Sequence, residues 1–359
     1  MTKSWYAVIL SGGSGERFWP LSTPERPKQF LTVFGGKSLI RQAVDRLKGV
    51  VPIERVLVVT GEALAAATHE ELPELPEQNI IAETCRRDTA AAVATACGAV
   101  EARGGSEAVA AILTADQLMS DVEAFRRVLK DAFQAAETTD CIVTMGVKPT
   151  HPATGFGYIQ VGKPAMLETD TVFFRAEKFV EKPDEATAKR YLATGKYVWN
   201  AGMFVWRVSV MKAELERGGN TELAALAEEV AQAEKGNETA QVLARRYPNL
   251  PKISIDYAVM EKARNILVSS GDFGWDDVGT WAAADRHLHA DAKRNVTKGV
   301  VTLLDCENTV AVAEGPEIAA LGVKDIVVVT TRDHVLVAAK DRVQDLKRIL
   351  ALRLVRSDE

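Results

Sequence analysis

A glycine-rich segment near the start of the chain contains residue types that bind phosphate. Ser11–Arg17 follows directly on the apolar run Tyr6–Leu10, which predicts a strand that leads into a loop. Glycines let backbone N–H groups approach phosphate oxygens closely, and the N-terminus of a following helix attracts anions. Arg17 can donate two parallel hydrogen bonds to a phosphate, and Lys28 supplies a second, more compact positive charge. The segment predicts a phosphate-binding loop, with a tight turn among solvated charges as the alternative.

Two common phosphate-binding motifs do not fit this loop. A Walker A loop ends in Gly-Lys followed by Ser or Thr, whereas positions 16–18 are Glu-Arg-Phe. A dinucleotide-binding fingerprint needs a glycine where Phe18 stands, because a large side chain there prevents close packing of helix on strand. The loop is therefore neither a P-loop nor the loop of a nicotinamide-dependent oxidoreductase.

The string Gly-Gly-Ser-Gly-Glu-Arg-Phe-Trp-Pro-Leu-Ser, followed by Pro-Lys-Gln-Phe-Leu at 27–31, resembles the signature of the mannose-1-phosphate guanylyltransferases, which are relatives of the other sugar-nucleotide pyrophosphorylases. The resemblance covers about residues 5 to 282 and extends into the later strands. Further segments match that family in the same order: Glu83–Ala92, Asp116, Gly155–Tyr158, Phe179–Pro183, Trp199–Phe204, Ser254–Glu261 and Gly274–Trp281. An ordered series of this length is far more specific than any one of its segments.

The resemblance implies transfer of GMP from GTP to mannose 1-phosphate, which gives GDP-mannose and pyrophosphate. The attacking oxygen belongs to the sugar phosphate, a monoester with a second pKa near ~6 that is largely a dianion at neutral pH. No general base and no covalent nucleophile are then required. Arg17 and Lys28 are the cations expected to stabilise the charge that moves to the leaving group. GTP and a sugar 1-phosphate are the expected partners.

Holding two anions together requires a cation, and the resemblance implies Mg²⁺. Magnesium binds oxygen and commonly takes one or two carboxylates in addition to substrate phosphates. Asp116 follows the strand Val109–Thr114 at its carboxyl end, where open α/β sheets bind ligands, and Asp277 aligns with the second metal carboxylate of the family. A helix N-cap or turn is the alternative for Asp116. Asp276 is interpreted as a spectator rather than a further ligand.

Glu83 is the residue that bears most on the choice of base. Guanine presents two adjacent donors, N1–H and N2–H₂, and a carboxylate presents two acceptors that match them. We expect Glu83 to bind guanine, with an ordinary surface glutamate as the alternative. The resemblance implies a nucleotide-binding role for six further residues: Leu10, Gly12, Gly13, Gly15, Arg87 and Thr89.

The resemblance also implies a sugar-phosphate site. Glu181 and Asn200 are expected to form hydrogen bonds with sugar hydroxyls, the backbone of Gly157 to approach the ring, and Lys182 to neutralise the sugar phosphate. Taken alone, the sequence Glu-Lys-Pro at 181–183 is typical of the end of a strand, which is the alternative interpretation.

Three positions depart from the usual family pattern. Asp88 stands where asparagine is common, Ala91 replaces a usual proline, and Gln117 replaces a usual histidine. These changes leave the proposed charges intact and make the base and sugar preferences less certain than the reaction. Two interpretations compete with this one. The first is the same reaction on another hexose or heptose 1-phosphate, and the second is a non-catalytic regulator that binds sugar nucleotides.

The elements that must position these residues follow an α/β pattern. Short β-branched runs alternate with helical patterns up to about residue 150, which predicts a Rossmann-like, mixed and mostly parallel sheet flanked by helices. Five short runs from Val300 to Ala339, then a helical pattern at Arg342–Val355, predict a second small domain. We expect domains at 1–289 and 290–359, the second of left-handed β-helix type as the resemblance implies.

The bulk composition limits the partners and the location. The net charge of −5, with both signs mixed along the chain, argues against nucleic acid as a partner. No stretch of about 18 apolar residues could span a membrane, and we expect no signal peptide. Four cysteines without CxxC spacing are typical of free thiols in a reducing compartment, so we expect a cytoplasmic protein. The resemblance implies a possible homodimer, and from the chain length we expect no isomerase activity.

Overall fold

The computed structural model describes residues 4–13 and 15–357, except for the side chains of residues 270 and 354–357. The described residues form two compact units. The first, the sheet unit, comprises residues 4–12, 43–115 and 119–276, and the second, the β-helix unit, comprises 13, 15–42, 116–118 and 277–357. The β-helix unit thus includes the phosphate loop as well as C-terminal residues, and the expected domain boundary after residue 289 stays a prediction.

The sheet unit contains a nine-stranded mixed sheet in the order β3-β2-β1-β4-β9-β6-β10-β8-β7. Within the described residues β8 and β9 run against the other strands of this sheet, so the expected mixed, mostly parallel arrangement is confirmed. The strands up to residue 276 are β1 Trp5–Ser11, β2 Val56–Gly61, β3 Ile80–Glu83, β4 Val109–Thr114, β5 Leu118–Met119, β6 Ile142–Val147, β7 Tyr158–Pro164, β8 Phe173–Val180, β9 Tyr197–Arg207, β10 Ile266–Gly271 and β11 Trp275–Asp276.

The first strands are apolar along nearly their whole length because both of their faces are buried. β1 is hydrogen-bonded to β2 on one side and to β4 on the other, and Ala7, Val8 and Ile9 are completely buried. β10, which pairs in parallel with β6, was not predicted, because only three apolar residues precede its serines.

The longest helices are α3 and α4, which both lie in the part of the chain where helical patterns alternate with β-branched runs. The helices are α1 Leu39–Asp45, α2 Ala65–Glu71, α3 Asp88–Gly104, α4 Val122–Thr138, α5 Glu185–Thr194, α6 Val208–Arg217, α7 Thr221–Ala233, α8 Thr239–Arg246, α9 Ala284–His287 and α10 Leu346–Ser357. None of the helices within the described part of the chain is long and apolar enough to cross a membrane.

The β-helix unit is built from short parallel strands. Its strands are β12 Val296–Lys298, β13 Val301–Leu304, β14 Val310–Ala313, β15 Ile318–Leu321, β16 Ile326–Thr330 and β17 Val335–Ala339. β12, β14 and β16 pair in parallel, as do β13 and β15, and β17 is antiparallel to β16. The five predicted strands are confirmed, and β12 is additional. This stacking of successive strands agrees with the expected β-helix type; its hand stays a prediction.

The alanine-rich helix α3 allows α7 to pack very closely on it. A Cβ atom added at Gly98 would lie 2.7 Å from the Cβ of Val230 and would also collide with the carbonyl oxygen of Ala227. Both atoms belong to α7. A glycine in the middle of a helix normally lowers stability. Here the close approach of α3 and α7 explains why glycine occupies position 98.

We predict that Gly98→Ala lowers the free energy of unfolding by about 1–2 kcal/mol, because overpacking outweighs the usual gain in helix propensity. Urea unfolding followed by circular dichroism measures the change. Ala102→Gly in the same helix is the control for the ordinary cost of glycine, about 1 kcal/mol. An increase in stability for Gly98→Ala would contradict the close packing.

Candidate active site

The phosphate loop has a conformation that requires glycine at position 15. Gly15 has φ of 61°, in the left-handed region, and a Cβ atom there would lie 2.6 Å from the backbone nitrogen of Lys28 and collide with the Cβ of Lys28. The backbone of Gly15 therefore packs directly against the residue expected to supply the second cation. Arg17 follows in a short 3₁₀ turn and is exposed.

Phe18 explains why this loop differs from a dinucleotide-binding fingerprint. Its side chain is completely buried, with its ring centroid 5.8 Å from that of Phe34 in an edge contact and 5.2 Å from that of Trp281. The indole N–H of Trp281 also donates to the carbonyl of Trp19. The aromatic side chain thus anchors the phosphate loop in the core of the β-helix unit, where a glycine would leave a cavity.

Lys28 contacts both of the aspartates that the sequence singled out. Its Nζ donates to Oδ2 of Asp116 at 2.9 Å and to the backbone oxygen of Asp277 at 2.6 Å. The Lys28 side chain is only 9% exposed and that of Asp116 is 38% exposed. The lysine end of the ion pair is therefore largely shielded from solvent. Asp116 and Asp277, far apart in the chain, are therefore held at one place in the β-helix unit.

These residues line a cavity of about 310 Å³. The backbone at Val278, directly after Asp277, has φ of 47°, which is unusual for a β-branched residue, and such conformations concentrate at functional sites. A Cβ atom at Gly279 would lie 2.7 Å from Oδ2 of Asp277, so glycine leaves space for that carboxylate. The cavity is lined by Gly15, Glu16, Arg17, Phe18, Lys28, Asp116, Gln117, Asp277, Gly279 and Lys347.

The donor set in this cavity fits a hard divalent cation. The described residues contain no group of three or more His, Cys, Asp and Glu side chains that could enclose a metal ion. Two carboxylates beside a phosphate-binding loop match instead a cation that takes its remaining ligands from substrate phosphates and water. Asp116 and Asp277 are the residues that could hold it; this role stays a prediction.

A second group of predicted residues lies at the carboxyl ends of the first strands of the sheet unit. Glu83 ends β3 opposite Gly61 of β2, and Ser11 of β1 lies opposite Thr60. A Cβ atom at Gly12 would be 3.8 Å from Oε2 of Glu83. Gly12 is thus close to the carboxylate expected to recognise guanine, and the part of Leu10 in nucleotide binding stays a prediction.

Burial raises the pKa of Glu83 to about 7, although a hydrogen bond from Tyr247 lowers it in part. The Tyr247 hydroxyl also lies 2.8 Å from Oγ1 of Thr95 in α3. A carboxylate in this environment lacks solvation and gains strongly from a ligand that donates hydrogen bonds to it. Tyr247 was not anticipated from the sequence.

Arg87 and Thr89 have structural partners. The Arg87 guanidinium donates to the carbonyl of Tyr247 at 2.7 Å and to that of Pro248, and Oγ1 of Thr89 accepts from the backbone N–H of Ile255 at 2.9 Å. Both side chains therefore connect the start of α3 to the segment that follows α8. Their part in nucleotide binding stays a prediction.

The four residues expected to bind the sugar are brought together. The backbone N–H of Asn200 donates to the carbonyl of Gly157 at 2.8 Å, and a Cβ atom at Gly157 would collide with Oε2 of Glu181. Lys182 Nζ donates to Oε1 of Glu181 at 2.7 Å. Among the described residues Oε2 of Glu181 has no hydrogen-bond partner although it is buried. An unsatisfied buried carboxylate oxygen is costly unless a ligand donates to it.

Asp256 is a member of this group that sequence reasoning did not assign. Its Oδ1 accepts from Nδ2 of Asn200 at 3.0 Å, and Oδ1 of Asn200 accepts from the backbone N–H of Gly202. Burial and the negative charge of Glu181 raise the pKa of Asp256 to about 6. Asp256 thus fixes the orientation of the Asn200 amide. The signal was present in the Ser254–Glu261 segment, where Asp256 begins a π-helical turn.

Comparisons with known proteins agree with this geometry. A family model described as "Nucleotidyl transferase" matches residues 6–294, and one described as "MannoseP isomerase/GMP-like beta-helix domain" matches residues 299–352. A mannose-1-phosphate guanylyltransferase of Escherichia coli K12 is 36% identical over 96% of this chain and 72% of its own length. The alginate biosynthesis protein AlgA of Pseudomonas aeruginosa is 39% identical over 96% of this chain and 71% of its own.

The chain belongs to the mannose-1-phosphate guanylyltransferase family of nucleotidyl transferases. A solved structure from Thermus thermophilus, described as a mannose-1-phosphate geranyltransferase, is similar to this member of the family with a TM-score of 0.84 and 36% identity, covering 98% of this chain and 99% of that one. The family thus extends over both units, and the α/β fold with a C-terminal β-helix-like domain is confirmed.

The three departures from the guanylyltransferase pattern have simple structural settings. Asp88 has φ of 63°, a conformation that asparagine and aspartate tolerate best after glycine, so the exchange keeps the backbone requirement. Ala91 is fully buried in α3, and Gln117 is buried in the β-helix unit, where it lines the cavity beside Asp116.

We predict that Gly15→Ala lowers the free energy of unfolding of this family member by about 1–3 kcal/mol, because alanine is strained at φ of 61° and collides with Lys28. Urea unfolding followed by tryptophan fluorescence measures the effect. Gly13→Ala is the matched control in the same loop, because no described atom lies within 4 Å of a Cβ added there. Equal stability of the two variants would show that the loop does not need glycine at position 15.

Proposed function

We propose that this protein transfers GMP from GTP to mannose 1-phosphate and releases pyrophosphate. The observation that carries the proposal is the arrangement around Lys28, whose ammonium group binds both the Asp116 carboxylate and the Asp277 carbonyl beside the loop of Gly15 and Arg17. In a member of the mannose-1-phosphate guanylyltransferase family, this arrangement supports phosphate binding and charge stabilisation at a transferred phosphoryl group.

The reaction requires positioning and charge neutralisation more than proton transfer. The phosphate monoester of the sugar is already a nucleophile at neutral pH, since its second pKa is about 6. Arg17 and Lys28 bind phosphate oxygens and stabilise the charge that develops on the pyrophosphate. Lys28 is well suited to this task because its Nζ is already oriented by two oxygen acceptors.

We propose Mg²⁺ as the cofactor. Asp116 and Asp277 would hold it, and the ion would neutralise the phosphates and orient them for in-line attack. Lys28 binds the Asp116 carboxylate in the structure and thereby limits the repulsion between this carboxylate and its neighbours. Asp276 is proposed to be a spectator.

Guanine binding is assigned to Glu83. Its carboxylate provides two acceptors for guanine N1–H and N2–H₂, and burial makes such donors valuable. Leu10, Gly12, Gly13, Gly15, Arg87 and Thr89 are proposed as further nucleotide-binding residues. The closeness of Gly12 to Glu83 supports this assignment for the start of the phosphate loop.

Sugar binding is assigned to Gly157, Glu181, Lys182 and Asn200. The unsatisfied Oε2 of Glu181 supports a hydroxyl donor as ligand, and glycine at position 157 leaves room for this carboxylate beside the backbone. Lys182 supplies a positive charge for the sugar phosphate. A different hexose or heptose 1-phosphate is the competing substrate that the panel below tests. A homodimer and a cytoplasmic location also remain proposals.

The first test is pyrophosphate release from GTP, Mg²⁺ and a panel of sugar 1-phosphates. We predict the highest kcat/KM with mannose 1-phosphate, and a loss of about 10²–10³-fold in kcat for Asp116→Asn and Asp277→Asn. Asp276→Asn is the matched control and should retain activity near that of the wild type. No pyrophosphate release by the wild type with any sugar would refute the proposed reaction.

The second test concerns the base. The carboxylate form of Glu83 accepts both guanine donors, so we predict that the KM for GTP rises as pH falls through about 7, where this group becomes protonated. Glu83→Gln should lack this component of the pH profile and should discriminate little between GTP and ITP, which lacks the 2-amino group. An equal preference of the wild type for GTP and ITP would disprove base recognition by Glu83.

A further inference from the structure

The C-terminal helix α10 supplies a side chain to the phosphate cavity. Lys347 lines the same cavity as Arg17, Lys28, Asp116 and Asp277. The family resemblance covers the segments that contain these four residues but assigns no role to any residue of α10.

The position of Lys347 is determined by its neighbours on the helix. Leu346, directly before it, is 2% exposed and packs in the same core as Phe18 of the phosphate loop. One to two turns further on, the guanidinium carbon of Arg353 lies 4.6 Å from the ring centroid of Trp19. α10 is thus attached to the segment around Phe18 on both sides of Lys347, so the lysine faces this loop because of packing.

The contact that Lys347 makes in the structure is weak. Its Nζ lies 3.7 Å from Oε2 of Glu16, and both side chains are largely exposed, at 59% and 43%. An exposed ion pair at this distance contributes little to stability. A phosphate oxygen would be a stronger acceptor for the ammonium group than this carboxylate at its present distance.

The charges around the cavity also favour a role for Lys347. Among its described lining residues, Glu16, Asp116 and Asp277 are acidic, and Arg17, Lys28 and Lys347 are basic. Lys28 is already bound to Asp116. With Lys347 the charged side chains of the described lining balance, so that a Mg²⁺ ion held by Asp116 and Asp277 would leave the cavity positive and favourable for a nucleoside triphosphate.

We propose that Lys347 binds the β- and γ-phosphates of GTP, and therefore the pyrophosphate that leaves. This inference rests on the proposed function and extends it, because it makes the β-helix unit's terminal helix a part of the phosphate site. Binding exchanges the contact with Glu16 for a hydrogen bond to phosphate. Lys347 acts on the leaving group.

The experiment measures four Michaelis constants, for GTP and mannose 1-phosphate in the forward reaction and for pyrophosphate and GDP-mannose in the reverse. Lys347→Ala should raise KM for GTP and for pyrophosphate about tenfold, and it should leave the other two within about twofold. Lys347→Arg retains the charge and should restore most of the loss. Arg348→Ala is the matched control, since Arg348 is the next residue on α10, is 75% exposed and lies 4.0 Å from Asp345.

The outcomes separate this inference from the reaction itself. If the wild type is active and Lys347→Ala changes only the urea midpoint of unfolding, Lys347 serves the ion pair with Glu16 and the inference is wrong. An equal rise in all four constants also overturns it, because phosphate binding at the leaving group alone cannot affect GDP-mannose. Failure of the wild type to release pyrophosphate refutes the proposed function instead.

Discussion

The ammonium group of Lys28 is the centre on which the candidate active site depends. It binds a carboxylate from the segment after β4 and a carbonyl from the segment after β11, while its own backbone packs against Gly15. Three distant parts of the chain are therefore joined by one buried side chain. The carboxylates of Asp116 and Asp277 repel each other. The positive charge of Lys28 offsets this repulsion at a site that is proposed to bind anions and a metal ion. The glycines at 15 and 279 then have a common reason, since each leaves space for one member of this arrangement.

The two groups of residues in the sheet unit that are proposed to bind the base and the sugar use a different principle. Both contain a carboxyl group that is removed from water, Glu83 in one and Asp256 beside Glu181 in the other. Removing a carboxylate from water is unfavourable unless hydrogen-bond donors replace the solvent. Neutral ligands with adjacent donors, such as guanine and sugar hydroxyls, supply such donors. Desolvation of these carboxyl groups lowers the stability of the folded protein. A ligand that donates hydrogen bonds to them relieves this cost, which favours binding of ligands with matching donors.

Much of the architecture could be predicted because it depends on local sequence. Apolar β-branched runs predicted β1 and β4, and the five short runs from Val300 to Ala339 predicted the strands β13 to β17 of the β-helix unit. The strand β10 was missed because its short apolar run ends in serines, and its burial results from pairing with β6. The closeness of Asp116 and Asp277 could be expected only from the family resemblance. The partners of Arg87, and the approach of Lys347 to Glu16, depend on packing between segments far apart in sequence, which no local pattern reports.

The burial of Phe18 has a consequence for the order in which the protein folds during translation. Its side chain lies in a core that also contains Trp281 and the valines of β12, β14 and β16. On the ribosome, the residues of the phosphate loop emerge early, but most of the surfaces that surround Phe18, which lie between Val278 and Leu346, are translated much later. Non-local contacts of this kind form late, because a long chain must be closed before they stabilise anything. The sheet strands near the N-terminus can assemble while translation continues, whereas the nascent protein acquires an ordered phosphate loop only after the strands of the β-helix unit have been made. A chain released early would keep much of the sheet and have no catalytic competence.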